Sequence, residues 1–220
     1  MNFNWDSMKN KIILADCMDI MKDIPDKYFE LAIVDPPYGK KPTRNTDGLG
    51  VCNKTFESGC DKWDIRPDGK YFNELFRVSK NQIIWGGNYF IEYLKSTNCF
   101  LIWDKNKTFG AFADCELAWA SFKDVARIFK HTWNGMLQEN MKKKEIRIHP
   151  TQKPIALYRW LLQNYAKPGD KIIDTHSGSG SCAIACHLEK FDFLAIEKDE
   201  DYYKASVKRL EEIRSQGVLF

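Results

Sequence analysis

The chain has 220 residues, of which 44% are hydrophobic, and its formal net charge is +3 at pH 7. This size and apolar content predict one packed domain over residues 1–220, and so small a net charge does not by itself establish a polyanionic partner. No apolar run approaches membrane-spanning length, which excludes a membrane protein.

Strands and helices alternate in the first two thirds of the chain. Strands are predicted at residues 11–15, 30–34, 82–85, 99–103, 116–120 and 125–129. Helices are predicted at about 17–24, 71–79 and 88–94. Two segments lack periodicity, at about 38–69 and 132–150, and a segment as long as the first is usually functional or mobile.

The last third has the clearest pattern. Pro154 suits the first turn of a helix, and a strand at 171–174 runs into a loop of Gly and Ser that opens another helix. A strand at 193–196 follows, and a helix ends the chain. Strands that alternate with helices predict an α/β fold with a doubly wound, mostly parallel sheet.

The cysteines and the amino terminus indicate the setting of the protein. The seven cysteines are scattered without a Cys-x-x-Cys pair, and no histidine stands near Cys52 and Cys60 at metal-ligand spacing. We therefore expect no metal site and a reducing, cytoplasmic environment. Residues 1–6 have no basic start and no apolar stretch after them, so no export signal is expected.

The most informative sequence is Asp35-Pro36-Pro37-Tyr38, directly after the apolar run 31–34. The prolines fix φ and remove two backbone donors, which leaves carbonyls free to accept hydrogen bonds. The cluster lies at the carboxyl end of a strand, where open α/β sheets bind ligands. It fits a planar molecule whose amino hydrogens go to Asp35 and the Pro36 carbonyl while Tyr38 stacks on the ring.

A second site is predicted in the loop from Asp174 to Ser181, which joins a strand to a helix through small residues. Glycines let the backbone approach a ligand, and a helix amino terminus favours a carboxylate or phosphate. Glu197 ends the next strand, where an acid commonly accepts from the two hydroxyls of a ribose. Residues 178–183 also match the dinucleotide pattern GxGxxA, so a nicotinamide-dependent oxidoreductase is an alternative, although it leaves the prolines and Tyr38 unexplained.

With both sites defined, the chain resembles the S-adenosylmethionine-dependent DNA amino-methyltransferases that modify adenine N6 or cytosine N4. Asp35-Pro36-Pro37-Tyr38 is similar to their catalytic motif and residues 174–181 to their cofactor loop. His149-Pro150-Thr151-Gln152-Lys153-Pro154 matches a further family signature, and Ala15-Asp16-Cys17 resembles the segment that holds the adenine. The motif order is that of the beta class, and the resemblance implies a class I, Rossmann-like methyltransferase fold in a protein of bacterial or phage type.

The resemblance also implies roles for particular residues. The catalytic residues are Asp35, Pro36, Pro37 and Tyr38. The residues expected to bind S-adenosylmethionine are Asp16, Cys17, Asp35, Thr151, Lys153, Asp174, His176, Ser177, Gly178, Ser179, Gly180 and Glu197. Among these, Glu197 would accept from the ribose, Asp16 would contact the adenine edge, and Thr151 and Lys153 would support the methionine carboxylate.

DNA is the expected partner, and its target base would be flipped out of the duplex. Basic residues suited to phosphates are Lys40, Lys41, Arg44, Lys142, Lys143, Lys144 and Arg147, with a solvated loop as the alternative for the basic run. The segment 132–148 is too short for a full target-recognition domain. A homodimer in which a second subunit compensates, and a cognate restriction endonuclease, are left open as further partners.

Two features bear on the base and on the cofactor pocket. An acid at Asp35, rather than the Ser common in the cytosine enzymes, favours adenine N6, with cytosine N4 and an inactive nucleic-acid-binding relative as alternatives. Cytosine C5 chemistry is excluded because it uses a Cys nucleophile, usually after Pro, and the chain has no Pro-Cys pair. The family loop usually begins Asp-Pro-Phe, whereas this chain has Asp174-Thr175-His176, which alters the pocket.

Overall fold

The computed structural model describes residues 3–39, 65–106, 113–134 and 137–216. The strands are β1 Lys11–Leu14, β2 Phe29–Val34, β3 Ser79–Trp85, β4 Phe100–Asp104, β5 Cys115–Ala120, β6 Arg127–Lys130, β7 Trp133–Asn134, β8 Leu137–Gln138, β9 Lys171–Asp174 and β10 Asp192–Glu197. The α-helices are α1 Trp5–Met8, α2 Cys17–Met21, α3 Gly69–Val78, α4 Ile155–Tyr165, α5 Ser181–Leu188 and α6 Glu200–Ser215. None of these helices is long and apolar enough to cross a membrane.

The main sheet of the described residues has eight strands in the order β1-β10-β9-β2-β3-β5-β4-β6. The pairs from β1 through β3 are parallel. Strand β5 runs antiparallel to both β3 and β4, whereas β6 is parallel to β4. The predicted mostly parallel α/β sheet is therefore confirmed, with one reversed strand near an edge.

Helices cover both faces of the sheet, which explains the continuous apolar runs of its central strands. Alternate residues of β2 point to opposite faces, so that Leu31 and Ile33 pack with α4, α5 and α6 while Ala32 and Val34 pack with α2 and α3. All four of these β2 side chains are buried. The strand that delivers Asp35 is thus fixed from both sides.

The helix predicted at about 88–94 is wrong. Two short 3-10 turns, Gly87–Tyr89 and Ile91–Tyr93, occupy this region. Between them Phe90 is fully buried and has a φ of −124°, which interrupts helical hydrogen bonding. Burial of this aromatic ring overrides a weak local helix preference.

The remaining differences concern the segments without periodicity. The short hairpin of β7 and β8 lies within the segment 132–148. Most of the predicted loop at about 38–69 lies outside the described residues.

The sheet brings the predicted motifs to one edge. The parallel strands β1, β10, β9, β2 and β3 end on the same side, so residues that follow them in the sequence become neighbours. Gly86, directly after β3, adopts a φ of +65°, and the Tyr38 ring packs against it so closely that a Cβ at Gly86 would overlap the ring. The left-handed turn at Gly86 thereby sets the position of the Tyr38 ring.

Substitution of Gly86 should show how tightly this position is specified. We expect Gly86→Ala to lower the free energy of unfolding by about 2–5 kcal/mol, because it combines left-handed backbone strain with overpacking. Gly169→Ala is a matched control, since Gly169 also has a positive φ (+88°) but has open space around it. The control should lose only about 1–2 kcal/mol. Urea unfolding of both variants tests this, and equal losses would contradict it.

Candidate active site

A cavity of about 720 Å³ opens at the carboxyl ends of the parallel strands. Its volume lies within the range of small-molecule sites. The predicted site residues that line it are Asp16, Cys17, Asp35, Pro36, Pro37, Tyr38, Thr151, Lys153, His176, Ser177, Gly178, Ser179 and Glu197. Asp174 and Gly180 do not line it. The structure therefore brings the two predicted sites together in one cavity.

Both carboxylate oxygens of Asp35 have partners. Oδ1 accepts a hydrogen bond of 2.7 Å from the Tyr38 hydroxyl, and Oδ2 accepts one from the Lys153 ammonium. Burial and the nearby Asp35 charge raise the pKa of Tyr38 well above its usual value, so its phenol stays protonated and donates. The Tyr38 ring also packs against Tyr89, with centroids 4.8 Å apart. Asp35 and Tyr38 are therefore held in place by contacts with other residues of the chain.

Lys153 lies between two acids. Its Nζ is 3.0 Å from Oε2 of Glu116, in addition to its contact with Asp35. Oε1 of Glu116 is 2.6 Å from the ammonium of Lys105, which completes a group of two acids and two cations. Burial acts to lower the pKa of Lys153, but Asp35 and Glu116 together raise it, so the side chain stays charged.

Glu116 was not predicted as a site residue. Burial acts to raise the pKa of Glu116, but Lys153 and Lys105 lower it to about 2. The available signal was weak: Glu116 is an acid within the otherwise apolar strand β5, paired in register with Trp103. The structure places Lys153 beside Asp35, and its predicted contact with the methionine carboxylate stays a prediction.

The cofactor loop and the two acids beside it are fixed by backbone hydrogen bonds. Oε2 of Glu197 accepts from the amide of Gly178 at 2.6 Å, while Oε1 accepts from Lys198 and Asp199. Asp16 caps α2 through the amide of Met18 at 3.0 Å. Its other oxygen accepts from the ammonium of Lys198 at 2.7 Å, which lowers the pKa of Asp16. Both carboxylates thus face the cavity at the ends of neighbouring strands.

The signature segment 149–154 reaches both halves of the cavity. The Thr151 hydroxyl lies 3.1 Å from Nδ1 of His149, and the His149 ring packs against Tyr202 and close to Gly178. Burial lowers the pKa of His149 to about 4, so its imidazole is neutral near pH 7. Thr151 and His149 therefore flank the cofactor loop, while Lys153 of the same segment contacts Asp35.

The predicted DNA-binding residues fall into separate groups. Lys40, Lys41 and Arg44 lie outside the described residues. Lys142, Lys143 and Lys144 are exposed after β8. Arg147 is placed differently from the expectation, because its guanidinium lies 4.5 Å from the Trp133 ring centre and its Nε and Nη2 atoms are buried. The cation–π contact with Trp133 competes with the phosphate contact predicted for Arg147.

Comparison with known proteins identifies the family. A family model described as DNA methylase, for N6 and N4 enzymes, matches residues 66–208. The chain belongs to this family. The type II methyltransferase M.HinfI from Haemophilus influenzae is 24% identical over 97% of this chain and 72% of that protein.

Solved structures support the same assignment for the fold. M1.HpyAVI in complex with S-adenosylmethionine has a TM-score of 0.58 and 22% identity, over 90% of this chain and 98% of that one. The cytosine-N4-specific PvuII methyltransferase has a TM-score of 0.61 and 12% identity, over 94% and 91%. The predicted class I, Rossmann-like fold is confirmed. The protein is an S-adenosylmethionine-dependent DNA methyltransferase, so the oxidoreductase alternative falls.

The residues present fit S-adenosylmethionine. Glu197 and Asp16 offer carboxylate acceptors at the ends of adjacent strands, as a ribose and an adenine edge require. The buried hydroxyl of Ser177 has no hydrogen-bond partner among the described residues, and Ser177 lines the cavity. A buried polar atom of this kind is expected to gain its partner from a ligand.

Asp174 should make the stability of the methyltransferase depend on pH. Burial raises its pKa to about 8, above the unfolded value of about 3.9. Between these values the folded protein keeps a proton that the unfolded chain has lost, so stability falls as pH rises, at most by about 1.4 kcal/mol per pH unit. Asp174→Asn, measured without cofactor, should therefore gain stability over the wild type from about pH 5 to 8.

Chemical unfolding at a series of pH values checks this expectation. The exposed Asp201 in the first turn of α6 provides the control. Asp201→Asn should show the same pH slope as the wild type. A slope for Asp174→Asn that matches the wild type would mean that Asp174 is ionised in the folded protein.

Proposed function

We propose that the protein transfers the methyl group of S-adenosylmethionine to the exocyclic amino group of a flipped-out base in DNA, with adenine N6 as the target. The observation that carries this proposal is the geometry of Asp35, whose carboxylate is held by Tyr38 and Lys153 in the cavity that the cofactor loop also lines. A fixed acceptor beside the cofactor loop is what an amino group needs at the moment of transfer.

The proposed chemistry needs an acceptor for the amino hydrogens. Bound cofactor supplies an electrophilic methyl group on a sulfonium. Asp35 accepts from the amino group and draws its nitrogen lone pair out of conjugation with the base. When the N–C bond forms and the C–S bond breaks, the nitrogen must lose a proton, for which Asp35 is the nearest proposed acceptor. A carboxylate has about four lone-pair sites, so the two hydrogen bonds present leave room for the base.

The charged group around Lys153 holds the Asp35 carboxylate in place. An isolated carboxylate in a partly dry cavity is costly, and a cationic partner offsets that cost. Because Lys153 pairs with Glu116 as well as with Asp35, it positions Asp35 without fully neutralising the charge of that carboxylate. We assign Lys153 and Glu116 as positioning residues for this reason.

Tyr38 supplies the proposed stacking surface. Its hydroxyl is bound to Asp35, and its ring packs against Gly86, Tyr89 and Phe90. Because these contacts already fix the Tyr38 ring, it loses little conformational entropy when a base stacks on it. Lys142, Lys143 and Lys144 are exposed, and we assign them to contacts with DNA phosphates.

Adenine is the preferred target because the motif begins with an acid rather than Ser. Cytosine N4 is the second candidate, since the fold is shared with an enzyme described as cytosine-N4-specific. Both bases present an amino group beside a ring nitrogen, so the hydrogen-bonding argument for Asp35 applies to each.

Methyl transfer to unmethylated DNA, followed by nucleoside analysis, tests the proposal. We expect N6-methyladenine from the wild type and a loss of about 100-fold or more in rate for Asp35→Asn, because the isosteric amide is a weaker acceptor. Cofactor affinity should fall much less than the rate, because the amino group of the base is the main proposed partner of Asp35. N4-methylcytosine would overturn the base assignment. Cofactor binding without transfer to duplex or single-stranded DNA would instead support the inactive relative.

Glu116→Gln tests the positioning role. Without the Glu116 charge, Lys153 should pair more tightly with Asp35 and weaken its acceptor strength. We expect the single-turnover rate to fall by about 10- to 100-fold while cofactor affinity changes by less than about threefold. Glu211→Gln, at an exposed position of α6, is the control and should match the wild type. An unchanged rate, or equal losses in rate and cofactor affinity, would contradict the assignment.

A further inference from the structure

Thr175 and His176 occupy the place where the related cofactor loops usually have Pro-Phe. The structure joins them to Tyr71 of α3 in a row of polar contacts. The Tyr71 hydroxyl lies 2.7 Å from Oγ1 of Thr175, which lies 3.0 Å from Nδ1 of His176. Tyr71 and Thr175 are both buried, at 3% exposure each. The rings of Tyr71 and His176 meet edge to face, with centroids 5.1 Å apart.

The buried Tyr71 hydroxyl determines which group donates and which accepts in each of these hydrogen bonds. The Tyr71 hydroxyl lies 2.7 Å from Oγ1 of Thr175 and 3.5 Å from Nδ1 of His176, so its proton goes to one of these two acceptors, and the shorter contact is with Thr175. The Thr175 proton then goes to Nδ1 of His176, and Nδ1 is equally the acceptor where Tyr71 donates to it directly. The opposite direction would leave a buried phenol proton unpaired, which costs about 1–3 kcal/mol. Burial also lowers the pKa of His176 to about 4, so the ring carries one proton near pH 7. That proton is therefore on Nε2.

The Nε2–H group of His176 is left for a ligand. It has no hydrogen-bond partner in the described part of the chain, and His176 lines the cavity. The nearby Asp16 acts on His176 electrostatically, and its carboxylate already accepts from Met18 and Lys198. A neutral donor beside a carboxylate acceptor is complementary to an adenine edge, which offers an amino group and ring nitrogens.

We propose that His176 is a specificity-determining residue for the cofactor and donates a hydrogen bond from Nε2 to a ring nitrogen of its adenine. Thr175 and Tyr71 are positioning residues that hold the imidazole in the required tautomer. The proposal rests on the proposed placement of adenine beside Asp16 and is independent of which DNA base is methylated. A Phe side chain at this position could recognise the adenine only through its shape, whereas His176 recognises it through a hydrogen bond.

Binding of ligand analogues tests the proposal directly. S-adenosylhomocysteine and its 1-, 3- and 7-deaza analogues, which each replace one adenine ring nitrogen by CH, are titrated calorimetrically into the wild type and His176→Phe. We expect the wild type to bind one of the analogues about tenfold more weakly than S-adenosylhomocysteine. His176→Phe should bind that analogue and S-adenosylhomocysteine with affinities within about twofold of each other. Equal affinity of the wild type for S-adenosylhomocysteine and all three analogues, or the same tenfold difference in His176→Phe, would overturn the proposal.

Nitrogen NMR of the imidazoles tests the positioning roles. With ¹⁵N-labelled histidine, the signals of His176 are assigned by their loss in His176→Phe, and we expect the proton on Nε2. Thr175→Val keeps the shape but removes the hydroxyl, so it should increase the Nδ1–H tautomer and weaken binding of the parent ligand by several-fold. Tyr165→Phe, remote on α4, is the control and should change neither. A wild-type ring protonated on Nδ1 would overturn the assignment.

Discussion

The part of the cavity around Asp35 depends on the ion pairs that Lys153 makes with Asp35 and Glu116. The members of this group come from the end of β2, the segment before α4 and the strand β5, which meet only through the sheet order. Each carboxylate lies where an unpaired charge would be costly, and Lys153 offsets both. Loss of one member would leave its partner uncompensated. The same group therefore joins three separate segments of the chain and positions the proposed catalytic acid.

The segment 149–154 links the two halves of the site. Thr151 lies with His149 beside the cofactor loop, whereas Lys153 contacts Asp35. Just before this segment, Glu145 accepts from the first amide of α4 and pairs with Arg209, which in turn donates to the carbonyl of Ser179. These contacts connect Glu145, which follows the exposed lysines in the sequence, with the cofactor loop.

Local patterns predicted the parts of the site that a strand end determines. Asp35, Glu197 and the Gly/Ser loop each follow an apolar run, and parallel pairing alone makes such positions neighbours. Glu116 was not predicted because a single acid in an apolar strand matches no known motif. Its role depends on its contact with Lys153, which belongs to a segment distant in the sequence. Residues 88–94 were misread because burial of Phe90 decides their conformation, and the contact of Arg147 with the Trp133 ring had no sequence signal. These features depend on tertiary contacts that a sequence window does not contain.

The substitution of Thr175-His176 for the usual Pro-Phe is best understood together with Tyr71. Proline has no hydroxyl to accept from a buried phenol, so a Tyr at position 71 would be unsatisfied beside the usual loop. Conversely, Thr175 without His176 would lack an acceptor for its own proton. The three residues are therefore consistent only as a set in which each proton has an acceptor. Since that set ends in a donor at the cavity, its selectivity for the cofactor comes from hydrogen bonding, and it should be more sensitive to the nitrogens of the adenine than to its outline.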